Sequence, residues 1–221
     1  MHQKTWLKLV AVLGGLIAAP AVNAQDPAAN WPNKTVRLII PFTPGGSTDF
    51  QGRILCDSLS RTFGQQFIID HKPGAGSNIG VAELARSAPD GYTLGWITVA
   101  SHAINPTLYA KMPFDHILDF APVSMVATFP NLLVVNNNFP VKTIPDLIAV
   151  LKKEPGKYAF ASSGQGTSLH LSGEMFKVMT GTNMLHIPYK GGGPALTDVM
   201  GGVVQMTFGN MPTVLGHAKG G

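Results

Sequence analysis

Val36-Arg37-Leu38-Ile39-Ile40-Pro41-Phe42-Thr43-Pro44-Gly45-Gly46-Ser47-Thr48-Asp49 is the stretch that decides the fold. Its first five residues form a short, β-branched, apolar run, the pattern of a buried strand. Pro41 ends the run. The Gly/Ser/Thr-rich residues after it lead into Phe50, Ile54, Leu55, Leu59 and Phe63 at helical spacing, closed by Gly64. Strand, loop and helix in that order make one unit of an α/β fold, and the spacing predicts that these five apolar side chains face the core. Cys56, on the same helix beside Ile54, Leu55 and Leu59, reads as a small buried hydrophobe.

Outward from that unit the rhythm repeats. Phe67-Ile68-Ile69-Asp70 reads as a strand, residues 72–77 as a Gly-rich loop, and residues 78–86 as a helix capped by Asn78. Pro89-Asp90-Gly91 is a turn, and residues 93–99 read as a third strand. Residues 104–122 read as irregular. Residues 122–136 carry two apolar stretches split by Pro130, as expected of a crossing between lobes. Thr143 then caps a helix with Pro145 in its first turn and Leu147, Ile148 and Leu151 on one side. A strand over 157–161 follows, then a helix over 167–179 with Leu171, Met175, Val178 and Met179 on a stripe. A strand at 184–188, a helix at 194–200 and a strand at 203–208 complete the series. The alternation predicts parallel strands in both halves, divided into a first lobe over 25–127 and a second over 128–221.

With 221 residues, 45% of them hydrophobic and 13% charged, the chain can bury a sizeable core and is neither a disordered tail nor a charged coiled coil. Its 25 Gly and 17 Pro lack any short period, which excludes collagen and points to tight, backbone-rich loops. The formal net charge is only +4, so no nucleic-acid partner follows. Lys4 and Lys8, an apolar run over 9–19, and small residues up to Ala24 read as a secretory signal peptide over 1–24; the run is too short to span a bilayer. The expected location is therefore the periplasm. Cys56 is the only cysteine, so no internal disulfide can form.

In an open α/β sheet the chemistry gathers where loops leave the carboxyl ends of strands, because each following helix points its amide-rich, positive end there. Four stretches qualify: residues 41–49, 73–78, 162–168 and 189–193. Glycine lets backbone N–H groups approach a ligand, and Ser and Thr add hydroxyl donors at the same depth. Each loop alone could simply turn the chain and cap a helix. Four in two halves suit an anion, and with only Lys72 and Lys190 adjacent they suit a carboxylate better than a phosphate. Asp49 either favours its helix dipole or accepts a bond from a ligand amine, amide or hydroxyl. His170 reads as orienting its own loop or as a satisfied helix-face histidine. Tyr189 reads as packing or as contact with a ligand.

Enzyme signatures are missing. No Ser stands between glycines two before and two after, and Ile79 occupies the place of the third glycine after Gly74 and Gly76. No Gly-Lys-Ser/Thr occurs, and the closest histidines, His102 and His116, are too far apart for a local zinc motif. No catalytic residue, metal or cofactor is expected.

Trp31-Pro32 before the first strand, residues 36–42 running into Pro44-Gly45-Gly46-Ser47-Thr48-Asp49, and Lys72-Pro73-Gly74-Ala75-Gly76 carry a family resemblance. So do Pro89-Asp90-Gly91-Tyr92-Thr93-Leu94, Asn105-Pro106-Thr107-Leu108-Tyr109 and Ser163-Gly164 through His170-Leu171. In order and spacing the chain resembles the Bug family, extracytoplasmic solute-binding receptors of tripartite tricarboxylate transporters. The resemblance implies a two-lobed type II periplasmic-binding-protein fold, incomplete at its C-terminus. It implies a small carboxylate ligand, either a di- or tricarboxylate, an acidic amino acid or an aromatic acid, caught by lobe closure and delivered to the membrane permease subunits. Family members run on past the position of Gly221, so the chain is expected to be a fragment or a truncated product. Loops and resemblance together give an expected ligand-binding set of Thr43, Gly45, Gly46, Ser47, Thr48, Asp49, Ala75, Ser101, Ser162, Ser163, Gly164, Thr167, His170, Tyr189 and Asn210. The alternatives are an exported enzyme on the same scaffold, acting on a small acid, and a ligand-sensing partner of a sensor kinase.

Overall fold

A computed structural model describes residues 30–220, and the expected leader at 1–24 lies outside them. β1 (Val36–Ile40) is the centre of a three-stranded parallel sheet, flanked by β2 (Phe67–His71) and β3 (Thr93–Gly95). All five residues of β1 are apolar or half-buried because helices cover both faces, as a parallel sheet requires. Loop 41–46 carries the chain from β1 into α1 (Ser47–Phe63), and β2 leads through a short 3₁₀ turn into α2 (Asn78–Ala85).

Helix α1 turns a different face inward from the one its apolar spacing predicts. Ser47, Thr48, Asp49, Gly52 and Cys56 are buried, whereas Phe50 is 61% and Ile54 57% exposed. The reason is distance. The helix lies so close to the sheet that a Cβ on Gly52 would come within 2.5 Å of Ile40 Cδ1, so the small side chains at 48, 52 and 56 pack there, Leu55 and Leu59 are half-buried, and Phe50, Ile54 and Phe63 are exposed. Cys56 is buried as expected, and burial raises its thiol pKa.

The third strand is shorter than predicted. It ends at Gly95, and residues 96–98 form the wall of a cleft before a π-helical turn at Ala100–Ile104 and α3 (Asn105–Leu108). The stretch expected to be irregular thus begins in helix. Asn78 is the first helical residue of α2 and not its cap, because its side-chain oxygen is taken by Asn105 Nδ2 at 2.8 Å.

The second sheet has the order β4 (Asn131–Val135), β7 (Met206–Asn210), β5 (Ala159–Ser162), β6 (Leu185–Pro188). Strands β5, β6 and β7 run parallel as predicted, but β4 pairs antiparallel with β7, so this half is a mixed sheet. A helix at Ile144–Lys153 joins β4 to β5, yet β4 runs opposite to β7 and so to β5, which alternation of strands and helices alone does not announce. Helix α4 (Ile144–Lys153) follows its sequence signals: Thr143 and Asp146 form a reciprocal capping box, and Leu147 and Leu151 are buried.

Helix α5 (Ser168–Thr180) repeats the exception of α1. Its buried residues are Leu169 and Gly173, and a Cβ on Gly173 would lie 2.2 Å from the Phe160 ring. The predicted stripe of Leu171, Met175, Val178 and Met179 is exposed, Val178 to 83%. Helix α6 (Gly192–Met200), predicted over 194–200, and α7 (Met211–Gly220), which the sequence pattern does not announce, complete the half. Phe139, Leu147, Leu151, Phe160, Met184, Met206 and Phe208 form its core, each large buried side chain contributing roughly 1.5–3 kcal/mol.

Candidate functional site

The loops after β1, β2, β5 and β6 come together where the two sheets face each other. Thr43 N–H donates to Lys190 O at 3.1 Å, and Ser47 Oγ donates to Asn210 Oδ1 at 3.0 Å. Tyr109 OH reaches Gln165 O at 3.4 Å. Backbone meets backbone at these crossings. A Cβ on Gly76, whose φ is +58°, would lie 2.0 Å from Gln165 O, and one on Gly191 would lie 2.2 Å from Thr43 Oγ1. Side chains at either position would hold the halves apart, so glycine sets how closely they approach.

Two adjoining cavities occupy this junction, one of about 440 Å³ and one of about 240 Å³, with Phe42 and Ser163 lining both. Gly46, Ser47, Thr48, Thr167 and Asn210 of the expected set line the larger, and Ala75, Gly164 and Tyr189 the smaller. Among the described residues no Asp, Glu, His, Lys or Arg lines the larger cavity; Lys190 lines the smaller. The amide-bearing starts of α1 and α5 both face the larger cavity, through Ser47 and Thr48 and through Ser168 and Leu169.

The rest of the expected set stands behind this surface. Asp49 is buried and its carboxylate is engaged inside the protein. Gly45 N–H donates to it at 3.0 Å, Arg53 Nε lies 3.0 Å from Oδ1, and His71 Nε2 lies 3.1 Å away. Burial pushes the carboxyl pKa up, but the Gly45 amide, Arg53 and His71 outweigh it and hold the group below its ordinary range. Gly45 has a φ of +84° and forms the turn that this bond closes. Thr43 has a buried Oγ1 without a partner. Ser101 is fully buried; its hydroxyl reaches Thr98 O at 3.3 Å and lies 3.0 Å from His102 Nδ1.

In the second half, Ser162 Oγ accepts from Gly164 N–H at 3.1 Å and lies 2.7 Å from His186 Nε2. Thr167 Oγ1 donates to Gly164 O at 2.7 Å and accepts from His170 N–H at 3.4 Å. His170 Nδ1 accepts from Gly166 N–H at 3.3 Å, and its ring stacks on His186 at 4.2 Å. Burial first, then His170, lowers the His186 pKa to about 4. A Ser–His pair at 2.7 Å has the look of a nucleophile and its base. Here Ser162 is fully buried, and His186 is sandwiched between Phe160 and His170, with no carboxylate hydrogen-bonded to it. The pair fastens the loop. Tyr189 OH donates to Asp198, and burial and that bond raise its pKa to about 12.

Phe42 and Ser77, which line these cavities, lie in the loops expected at 41–49 and 73–78, whereas the sequence did not single out Gln51, Trp96, Thr98 or Phe129 as site residues. Gln51 Oε1, Ser77 Oγ and Thr98 Oγ1 are buried without a partner among the described residues. Two had a positional signal: Gln51 is one helical turn beyond Ser47, and Thr98 follows the carboxyl end of β3.

Residues 52–221 match the family described as tripartite tricarboxylate transporter family receptor. The chain belongs to that family. BugT of Bordetella pertussis is 40% identical over 215 residues, which cover 97% of this chain and 66% of BugT. A solved periplasmic transporter is 46% identical with a TM-score of 0.80 over 83% of this chain and 61% of its own. Rpa4515 of R. palustris, solved with adipate, is 40% identical with a TM-score of 0.81 over 83% of this chain and 62% of its own. The chain thus spans slightly less than two thirds of the length of these relatives. The likeness establishes the α/β fold of periplasmic binding proteins and membership of a family described as receptors.

Proposed function

We propose that this receptor captures a small carboxylate by closing its two lobes, the first over 25–127 and the second over 128–221, and delivers it to the membrane subunits of a tripartite tricarboxylate transporter. One observation carries the proposal: loops from both sheets line the same uncharged cavity, with helix-start amides on two sides and buried polar atoms that lack partners. A carboxylate takes hydrogen bonds from those amides and from the Thr98 hydroxyl, leaving the Gln51 Oε1 acceptor for a donor elsewhere on the ligand. Amides and hydroxyls satisfy its oxygens, and water expelled on closure strengthens each bond that remains. Neither half alone supplies both sets of donors. The adipate of Rpa4515 supports the ligand class.

In this proposal Asp49 positions the first loop and does not grip the ligand, whereas Ser47, Thr48, Ser163 and Thr167 face it. Ser162 and His170 brace the second loop. The receptor works in the periplasm after removal of residues 1–24. Among the described residues no helix is long and apolar enough to cross a membrane. A thermal-shift screen of the full chain against mono-, di- and tricarboxylates and their matched amides tests the ligand class. At least one acid should raise Tm with dose while its amide does not. No shift with any acid, or equal shifts with acid and amide, contradicts carboxylate capture.

A further inference from the structure

On the footing of carboxylate capture by lobe closure, we infer that His71 is a positioning residue for the site. It holds the peptide unit that ties the two halves together, and it does so with a proton on each ring nitrogen, which links capture to a proton. His71 is the last residue of β2, and its ring reaches across to the loop after β1. Nδ1 lies 2.8 Å from the Phe42 carbonyl oxygen, and Nε2 stands 3.1 Å from Asp49 Oδ1. The Phe42–Thr43 peptide faces both ways: its oxygen meets His71, and its N–H donates to Lys190 O of the second half at 3.1 Å. A peptide unit is planar, so any turn of the Phe42 carbonyl also turns the Thr43 N–H away from Lys190. Phe42 itself lines both cavities.

The two partners fix the ring's proton count. A carbonyl oxygen only accepts hydrogen bonds, so Nδ1 carries a proton. Burial opposes ionisation of Asp49, but the Gly45 amide and Arg53 outweigh it, so the carboxylate also only accepts. Nε2 therefore carries a proton too, and it has no other partner among the described residues. A neutral ring has one N–H and one lone pair. In either tautomer that lone pair faces Phe42 O or Asp49 Oδ1, and the ring draws back from one of them. Asp49 stays engaged by Gly45 and Arg53, so the loop shifts while its helix holds. From α1, Asp49 and, behind it, Arg53 face the ring; Asp70 and Lys72, its neighbours along the chain, lie toward the other face of the sheet, where they pair with Arg37 and Glu83. Lys190 meets the peptide through its carbonyl alone. A charged donor at one end of this chain of bonds strengthens the bond at the other.

Nitrogen-15 spectra of the histidine rings of the full chain, with His71 assigned by its loss in His71→Asn, test the proton count without any ligand. Both ring nitrogens should show protonated shifts at neutral pH; the pattern of a neutral tautomer overturns the inference and leaves carboxylate capture standing. Titration calorimetry with adipate, malate, citrate, aspartate and benzoate between pH of about 6 and about 9 tests the coupling. The acid that binds most tightly should lose about tenfold in affinity as pH rises, because the closed form holds the proton more firmly than the open one. His71→Phe, with no donor, should weaken that acid about tenfold at neutral pH and remove the slope. His71→Asn, whose amide still donates to Phe42 O, should recover part of that loss and show no slope. A flat wild-type profile, or a slope as steep in His71→Asn as in the wild type, overturns the inference alone. No heat from any of the five acids at any pH overturns carboxylate capture, and the coupling with it.

Discussion

The two loops that meet at the cleft are held in place by different electrostatics. The loop after β1 is fastened by charge: Asp49 gathers a backbone amide, a guanidinium and an imidazole. The loop after β5 is fastened by neutral groups, with Ser162, Thr167, His170 and His186 sharing hydrogen bonds and a ring stack. Asp49, Ser162, His170 and His186 stand behind the surface that lines the larger cavity, whereas Thr167 both braces its loop and lines that cavity. An uncharged binding surface can therefore be kept rigid without presenting a charge to the ligand.

The largest effect belongs to the contact between the halves. Gly76→Ala places a Cβ against the Gln165 carbonyl at a positive φ, and only separation of the halves relieves it. Affinity for whichever acid the wild type binds should fall about a hundredfold, or about 2.7 kcal/mol, while the circular dichroism of the fold persists. Unchanged affinity by calorimetry would show that closure does not depend on this crossing.

Next comes the charged brace. Asp49→Asn removes the partner of Arg53 and His71 and should cost about 2 kcal/mol in urea unfolding. Because the folded carboxyl pKa is depressed below its ordinary 3.8, the wild-type contribution is full above that pH and is lost only as pH falls below it. The neutral brace fails in a different window. With the His186 pKa near 4 against an ordinary 6.5, the unfolded chain takes up the proton first, so stability falls as pH drops from about 6.5 to about 4. His186→Phe should cost about 1 kcal/mol at neutral pH and flatten the Tm profile across that window, with His170, whose pKa burial also lowers, supplying the residual slope. A profile identical to the wild type would remove His186 from the account. The smallest effect is expected from Tyr109→Phe, which loses one long bond across the cleft and should change stability by about 0.5 kcal/mol or less.

The same contrast explains what the sequence disclosed. Helix α4, a scaffold element, reads correctly down to its capping box, because its apolar side chains are also its buried ones. Helices α1 and α5 do not, because each starts at the cleft and presses a glycine against its sheet, Gly52 on Ile40 and Gly173 on Phe160. Periodicity rewards large side chains, while these interfaces need small ones. The loops themselves were legible, since Gly and Ser/Thr between strand and helix have few other uses. The cross-chain partners of Asp49 and Ser162, His71 and His186, lie 22 and 24 residues away in sequence, and no local spacing joins them. The antiparallel entry of β4 was hidden for a related reason: alternation of strands and helices does not by itself carry strand direction.

A crystal structure of the full chain with a bound carboxylate is the most direct test of the central claim, that loops of both halves together hold one acid. The carboxylate oxygens should lie within hydrogen-bond distance of amides or hydroxyls at Ser47 or Thr48 and, at once, at Ser163 or Thr167. An acid touching the loop of one half only, or seated outside the junction, would contradict the account.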